Sequence, residues 1–272
     1  MPCLKEKLKI AMKCVTLEPV VFFYMVSFMM NGLINQNLSL EKACRVNLGF
    51  NASVCDAMVL RNRSGYSFEE EVEVQLLVTK FATYRSFLLG SIPFFMLLFF
   101  GSWSDRYLRR KPLILIPTVG EIVGTAGVFV CSQLLLELPL EVSFVFEIMP
   151  TVLFGGMQCF FLGVFSYVSG LCTDEDRTFR IGTVSMCYPI GMSMGLFLSG
   201  FTLNRLGYRG AYTISISCMI FAFLYGFFMI KENSRQKTEE EKKIGFLRDI
   251  FDMKHITNTL NMFFKEKRNI KE

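Results

Sequence analysis

Few side chains in this sequence are equipped for chemistry, and most of them sit inside long apolar runs. Arg85 lies in the run Leu76 to Phe100 and Glu121 in the run Leu113 to Leu135. Asn31 and Asn35, in the run Pro19 to Leu38, are four residues apart and so share one helix face. In lipid, each such group must be paired or face water, because hydrocarbon offers no partner. Asn31 and Asn35 therefore line either a watery cavity or a helix interface. An arginine near the centre of a membrane helix costs about 2.5 to 3.5 kcal/mol on insertion scales. Arg85 stands ~24 Å along its helix from Gly101, where it either snorkels to the headgroups or attracts an anionic solute. Glu121, ~15 Å beyond Lys111, falls near a midplane. It is a proton-relay candidate; alternatively it is a protonated structural donor, since Gly120 and Gly124 form a small-xxx-small pair that draws another helix close. Gln158 and Tyr188 complete the substrate-binding candidates Asn31, Asn35, Arg85, Gln158 and Tyr188. Glu147, near the outer end of its run, is expected to be solvated.

The elements that must hold these groups follow from the runs themselves. The chain has 272 residues, of which 52% are hydrophobic and 29 are Phe, too apolar for the surface of an ordinary soluble domain. Crossing ~30 Å of hydrocarbon takes about 20 apolar residues in a helix. Six runs meet that length: Pro19 to Leu38, Leu76 to Phe100, Leu113 to Leu135, Val142 to Gly170, Ile181 to Leu203 and Ala211 to Ile230. The predicted fold is all-α, a polytopic membrane bundle of six helices, because lipid leaves the backbone only itself to bond. Pro189 is expected to kink the fifth span. The only His, His255, lies on the tail, and no metal cluster, phosphate loop or Ser, His and Asp arrangement can be assembled. The sequence thus points to no enzyme, no metal and no cofactor. Its net charge of +5 is scattered over short loops and the tail, which argues against nucleic acid as a partner.

Positive charge marks the sides. Lys5 to Lys13, Arg106 to Lys111 and the lysines after Ile230 fall on alternate loops, which places both termini in the cytoplasm. The chain divides into a cytoplasmic segment 1–18, a six-helix domain 19–230 with an outer loop at about 39–75, and a cytoplasmic tail 231–272. That tail carries an apolar stripe from Phe246 to Phe263 at helical spacing. The outer loop holds the glycosylation sequons at Asn51 and Asn62; a third at Asn37 lies too close to the bilayer. Cys44 and Cys55 share this loop on an oxidising side, and either pair with each other or bond to a loop this chain lacks. Cys14 and Cys172 are palmitoylation candidates at cytoplasmic ends.

The turn Gly101-Ser102-Trp103-Ser104-Asp105-Arg106-Tyr107-Leu108-Arg109-Arg110 resembles the GxxxDRxGRR signature of the major facilitator superfamily. Its Gly-x-Trp-Ser-Asp form is similar to that of the proton-coupled folate transporter family, solute carrier family 46. Gly163 to Val168 and Asp174 to Gly182 agree with that family, as does the loop around Asn51 to Cys55. The resemblance covers nearly the whole chain and implies the amino-terminal half of a carrier with twelve spans in two halves. Gly101, Asp105, Arg106, Arg109 and Arg110 would form the transport signature that holds helix ends together. The implied function is proton-coupled, secondary-active transport of a small folate-like organic anion. A second six-helix half, or a second copy, would close the cavity, in the plasma or endolysosomal membrane. The alternative is a truncated, non-transporting membrane protein that binds or regulates a full-length carrier. Three positions depart from the family pattern: Leu108 replaces its Gly, Ser185 stands where relatives carry a carboxylate, and Gly170 where they often have Asp.

Overall fold

The computed structural model describes residues 17–134, 137–171 and 174–231. Lys5 to Lys13, Cys14, Cys172 and the tail stripe with His255 lie outside the described residues. Among those described the chain is helical and has no strand. In order come α1 (Glu18–Lys42), a π-helical turn (Ala43–Asn47), α2 (Ala52–Val59), a 3-10 turn (Arg63–Gly65), α3 (Phe68–Tyr107), α4 (Lys111–Gln133), α5 (Leu140–Leu153), α6 (Gly156–Leu171) and α7 (Asp174–Met229). Four stretches are long and apolar enough to cross a membrane: Phe68–Tyr107, Lys111–Gln133, Leu140–Gly170 and Arg177–Met229. The protein is a multi-pass α-helical bundle. At 25 residues α1 is also long enough, but Asn31, Asn35, Gln36 and Asn37 dilute its hydropathy and it is not one of the four.

The segment expected as an outer loop is largely helical. Ser67 begins α3 with a reciprocal cap, its hydroxyl accepting from the Glu70 N–H at 3.2 Å while the Glu70 carboxylate accepts from the Ser67 N–H at 2.7 Å. Glu69, Glu70 and Glu71 in the first turn suit the positive end of the helix dipole. Cys44, Cys55, Met58, Val74 and Leu140 form a small separate core beneath this region.

The 56 residues of α7 would reach ~84 Å if straight, far more than one crossing. The chain instead reverses at Gly207, whose φ of 64° and ψ of −169° suit glycine alone. Contacts with α1 show the reversal. Gly191 and Gly195 approach the backbone of Phe22 and Val26 in parallel order, whereas Tyr212, Ser215 and Gly226 meet Asn35, Ser27 and Val20 in antiparallel order. Gly207 is the one place where helical dihedrals break inside α7; at Pro189 they do not. The expected continuous fourth span is broken, however, at Gly155 and Gly156, both at positive φ. Where α1, α4, α6 and α7 meet, Tyr24, Met25, Ile114, Phe160, Val164 and Met219 are fully buried. Tyr24 stacks on Phe160 with ring centroids 3.9 Å apart.

Leu108 ends α3 in the left-handed conformation, with φ 53°. This is the position at which helices favour glycine, and a side chain there costs roughly 1 kcal/mol. Leu108 is half exposed and stands outside the core clusters around it, so little packing offsets the strain. Leu108→Gly is expected to raise stability by about 1 kcal/mol, seen as a higher Tm in detergent; an unchanged or lower Tm would show that Leu108 makes compensating contacts.

Candidate functional site

A cavity of about 140 Å³ lies among α1, α3, α4, α5 and α6. Its polar lining is Asn31, Asn35, Arg85, Glu121, Thr125, Glu147, Thr151 and Gln158. Two wider depressions, of about 390 and 580 Å³, lie beside Arg63, Tyr66, Glu71 and Gln75. The wider one is lined mostly by exposed residues and both are bordered by exposed Arg63 and Gln75, whereas the smaller cavity holds the buried Asn31, Asn35 and Glu121 and is the better place for selective binding.

Five helices each contribute charge or polarity to this cavity. Arg85 of α3 faces Glu147 of α5, with Nη2 to Oε1 at 2.9 Å. The two are close enough for an ion pair but not aligned as a hydrogen bond, and Arg85 Nε and Glu147 Oε1 are buried without a directed partner. Glu121 of α4 is 7% exposed and its Oε1 is also unpartnered. The spacing of the two carboxylates is set by small residues: a Cβ on Gly124 would lie 3.2 Å from the Glu147 carbonyl, and one on Gly120 only 2.6 Å from Cβ of Phe154. Only glycines let α4 and α5 approach so closely. The cavity therefore holds one fixed cation and two acids. Glu147 is not a solvated residue at a helix end, as its position in the sequence suggested. Its side chain is 17% exposed and serves as the counter-ion of Arg85. Sequence position alone hid it, because the outer part of a span reads as solvated unless a neighbouring helix covers it.

The amides serve the cavity and the helix interface together. Asn31 donates from Nδ2 to Thr125 Oγ1 at 2.7 Å and accepts from Ser215 Oγ at 2.7 Å, while Asn35 accepts from the Tyr212 hydroxyl at 2.5 Å. With Ser27 against Ser215 at 2.8 Å, these form a polar seam between α1 and the second part of α7. Gln158 has a different task. Pro93 has no N–H, so the Leu89 carbonyl four residues earlier loses its helical partner. Gln158 Nε2 donates to that carbonyl at 3.0 Å. The Gln158 side chain thus caps a break in α3 and is only partly available to a solute. Tyr188, expected beside these groups, does not line the cavity. Its ring packs edge-to-face on Phe161, with centroids 5.4 Å apart, because the first part of α7 turns that face toward α6.

The signature turn lies at the opposite end of α3 from Ser67. Trp103 and Tyr107 are buried, Asp105 is exposed, and Arg106 lies 5.3 Å from the Tyr107 ring centre. Gly101 sits against Leu162, and the Arg109 carbonyl accepts from Ser104 Oγ at 2.9 Å. Arg110 Nη1 donates to the Ser166 carbonyl. The space this requires exists because residue 170 is glycine: a Cβ there would fall on the Arg110 guanidinium. Gly170 thus leaves room for an arginine-to-carbonyl contact.

At the far end, Cys44 and Cys55 are joined in a disulfide with Cα atoms 5.8 Å apart. Asn47 donates to both Glu141 carboxylate oxygens at 2.9 and 3.0 Å and accepts from the Leu140 N–H at 3.1 Å, capping α5. Asn51 and Asn62 are exposed, and each Oδ1 accepts a backbone N–H two residues on. Asn37 Nδ2 instead donates to the Leu33 carbonyl of its own helix at 3.0 Å.

A family model described as Major Facilitator Superfamily matches residues 20–267. Among curated proteins the chain is similar to the probable peptidoglycan muropeptide transporter SLC46 of Drosophila melanogaster, at 21% identity over 80% of this chain and 42% of that protein. It is similar to the lysosomal proton-coupled steroid conjugate and bile acid symporter of Gallus gallus, at 22% identity over 81% of this chain and 47% of that protein. The proton-coupled folate transporter of Rattus norvegicus matches at 24% identity over 80% of this chain and 46% of its own length. The chain thus spans less than half the length of each of these relatives, all three of which are named for transport.

Proposed function

The chain belongs to the Major Facilitator Superfamily, and on that premise we propose that it forms one wall of a secondary-active carrier for a small organic anion, driven by protons. The observation that carries this reading is the arginine at the cavity, Arg85, ion-paired to Glu147 while a second acid, Glu121, lines the same cavity. A guanidinium is the group of choice for binding a carboxylate, and an acid able to change protonation is what proton coupling needs. Six crossings, with α1 the first and α7 supplying the last two, would put both termini in the cytoplasm and Asn51 and Asn62 on the glycosylated side. A second six-helix unit, either another copy or a complementary half, would close the cavity from the face that α3 and α7 leave apolar and uncovered. The signature residues Gly101, Asp105, Arg106, Arg109 and Arg110 would then meet that unit.

The test is folate uptake by the reconstituted chain in proteoliposomes with an inward proton gradient. Accumulation that disappears when an ionophore collapses the gradient is the expected outcome. Uptake indifferent to the gradient would overturn proton coupling, and no uptake beyond that of empty vesicles would overturn transport by this chain.

A further inference from the structure

Resting on that reading, we propose that Glu147 is the resident competitor for Arg85, so that an anion enters the cavity by displacing this carboxylate and brings a proton to the Glu121 and Glu147 pair. The geometry points there in three ways. The Arg85 to Glu147 contact is 2.9 Å but lacks hydrogen-bond alignment, so it can be exchanged without losing a fully formed bidentate pair. Glu121 Oε1, on a side chain more than nine-tenths buried, lines the same cavity without a partner. Glu121 also lies within electrostatic reach of both Glu147 and Arg85.

The charge count then fixes the stoichiometry. With one acid protonated, Arg85 and the other acid leave the cavity neutral. An anion taking Glu147's place on Arg85 would make it net negative. In a site of low dielectric constant that excess is relieved when a proton from water on the open side neutralises the freed carboxylate. One anion and one proton therefore bind together, and no covalent bond changes. Among the described residues, Tyr24 of α1 lies within electrostatic reach of Glu121 and Tyr212 of α7 within reach of Glu147, with Cys159 and Cys131 beside those two tyrosines. Tyrosine and cysteine ordinarily ionise above the pH range 5.5 to 7.5, so they do not supply the proton exchanged within it.

The probe is benzoate, a small carboxylate, with the purified chain in detergent. Isothermal titration in buffers of different ionisation heat reads affinity and proton uptake together. The wild-type chain is expected to take up about one proton per benzoate, with weaker binding at pH 7.5 than at pH 5.5. Glu147→Gln frees Arg85 of its competitor and is expected to bind about tenfold more tightly at pH 7.5, as when a competent state rises from a tenth of the population to nearly all. Glu121→Gln keeps the competitor and should show no such gain, and the double variant should bind with no proton uptake. A gain of affinity on losing a buried ion-pair partner is not what a merely structural role produces. If benzoate binds the wild-type chain without proton uptake, or Glu147→Gln binds no more tightly, this inference falls while the anion site stands. If no variant binds benzoate at either pH, the anion site and the inference fall together.

Discussion

Arg85→Ala is expected to weaken benzoate binding about 10- to 100-fold while leaving its neutral isostere benzamide within about threefold. The first figure follows from the ~1.5 to 3 kcal/mol that a hydrogen bond to a charged group contributes, at ~1.4 kcal/mol per factor of ten. Arg85 is the only cation among the residues lining the cavity, so nothing nearby takes over its role. The side chain is 34% exposed, which places the effect toward the lower end of that range. Removing Arg85 also leaves Glu147 without its counter-ion, and a misfolded cavity would weaken both ligands alike. Arg85→Ala combined with Glu147→Gln separates the two causes, since it removes the stranded acid but does not restore the cation. Equal losses for benzoate and benzamide in the double variant would remove Arg85 from anion recognition.

Gly195→Ala is expected to lower stability by about 1 to 3 kcal/mol, the usual effect of forcing extra volume into a packed interface. The added Cβ would lie 2.5 Å from the Val26 carbonyl oxygen and 2.9 Å from Met29 Cβ. A backbone oxygen cannot swing aside, so α7 would have to move away from α1. That shift would also strain the seam of Ser27, Asn31 and Asn35 against Ser215 and Tyr212. Gly200→Ala, five residues further along the same helix, is the control. Nothing lies within 4 Å of its new Cβ, and helix propensity favours alanine by about 1 kcal/mol. Opposite shifts in Tm for the two variants would establish the α1 and α7 contact; parallel shifts would refute it.

Much of the bundle was legible from run length alone, because an apolar stretch of membrane length has one stable backbone solution. The candidate residues were legible too, since an Arg, a Glu or an Asn within such a run stands out against its neighbours. Asn31, Asn35, Arg85, Glu121 and Gln158 do line one cavity, and Tyr188 does not. Their partners were not legible. Arg85 and Glu147 are 62 positions apart, and which faces of α3 and α5 meet depends on the rotation and axial offset of whole helices. No local period encodes that offset. Glu147 consequently read as solvated, and Gln158 read as a ligand for solute rather than as the cap on a carbonyl freed by Pro93. The glycines show the same divide: Gly191, Gly195 and Gly200 look alike in the chain, yet only the first two press against another backbone.

By itself, then, the sequence determined that this protein is an all-helical membrane bundle, which polar residues lie within its apolar runs, and through the turn from Gly101 to Arg110 which family it resembles. The tertiary structure decided which of those polar groups face one another, that two acids and one arginine line a single cavity, and that the long run after Asp174 folds back at Gly207. The reason is physical. Hydrophobic burial is proportional to area and indifferent to direction, so composition suffices to predict it, whereas an ion pair or a close helix approach depends on ångström-scale placement of distant segments.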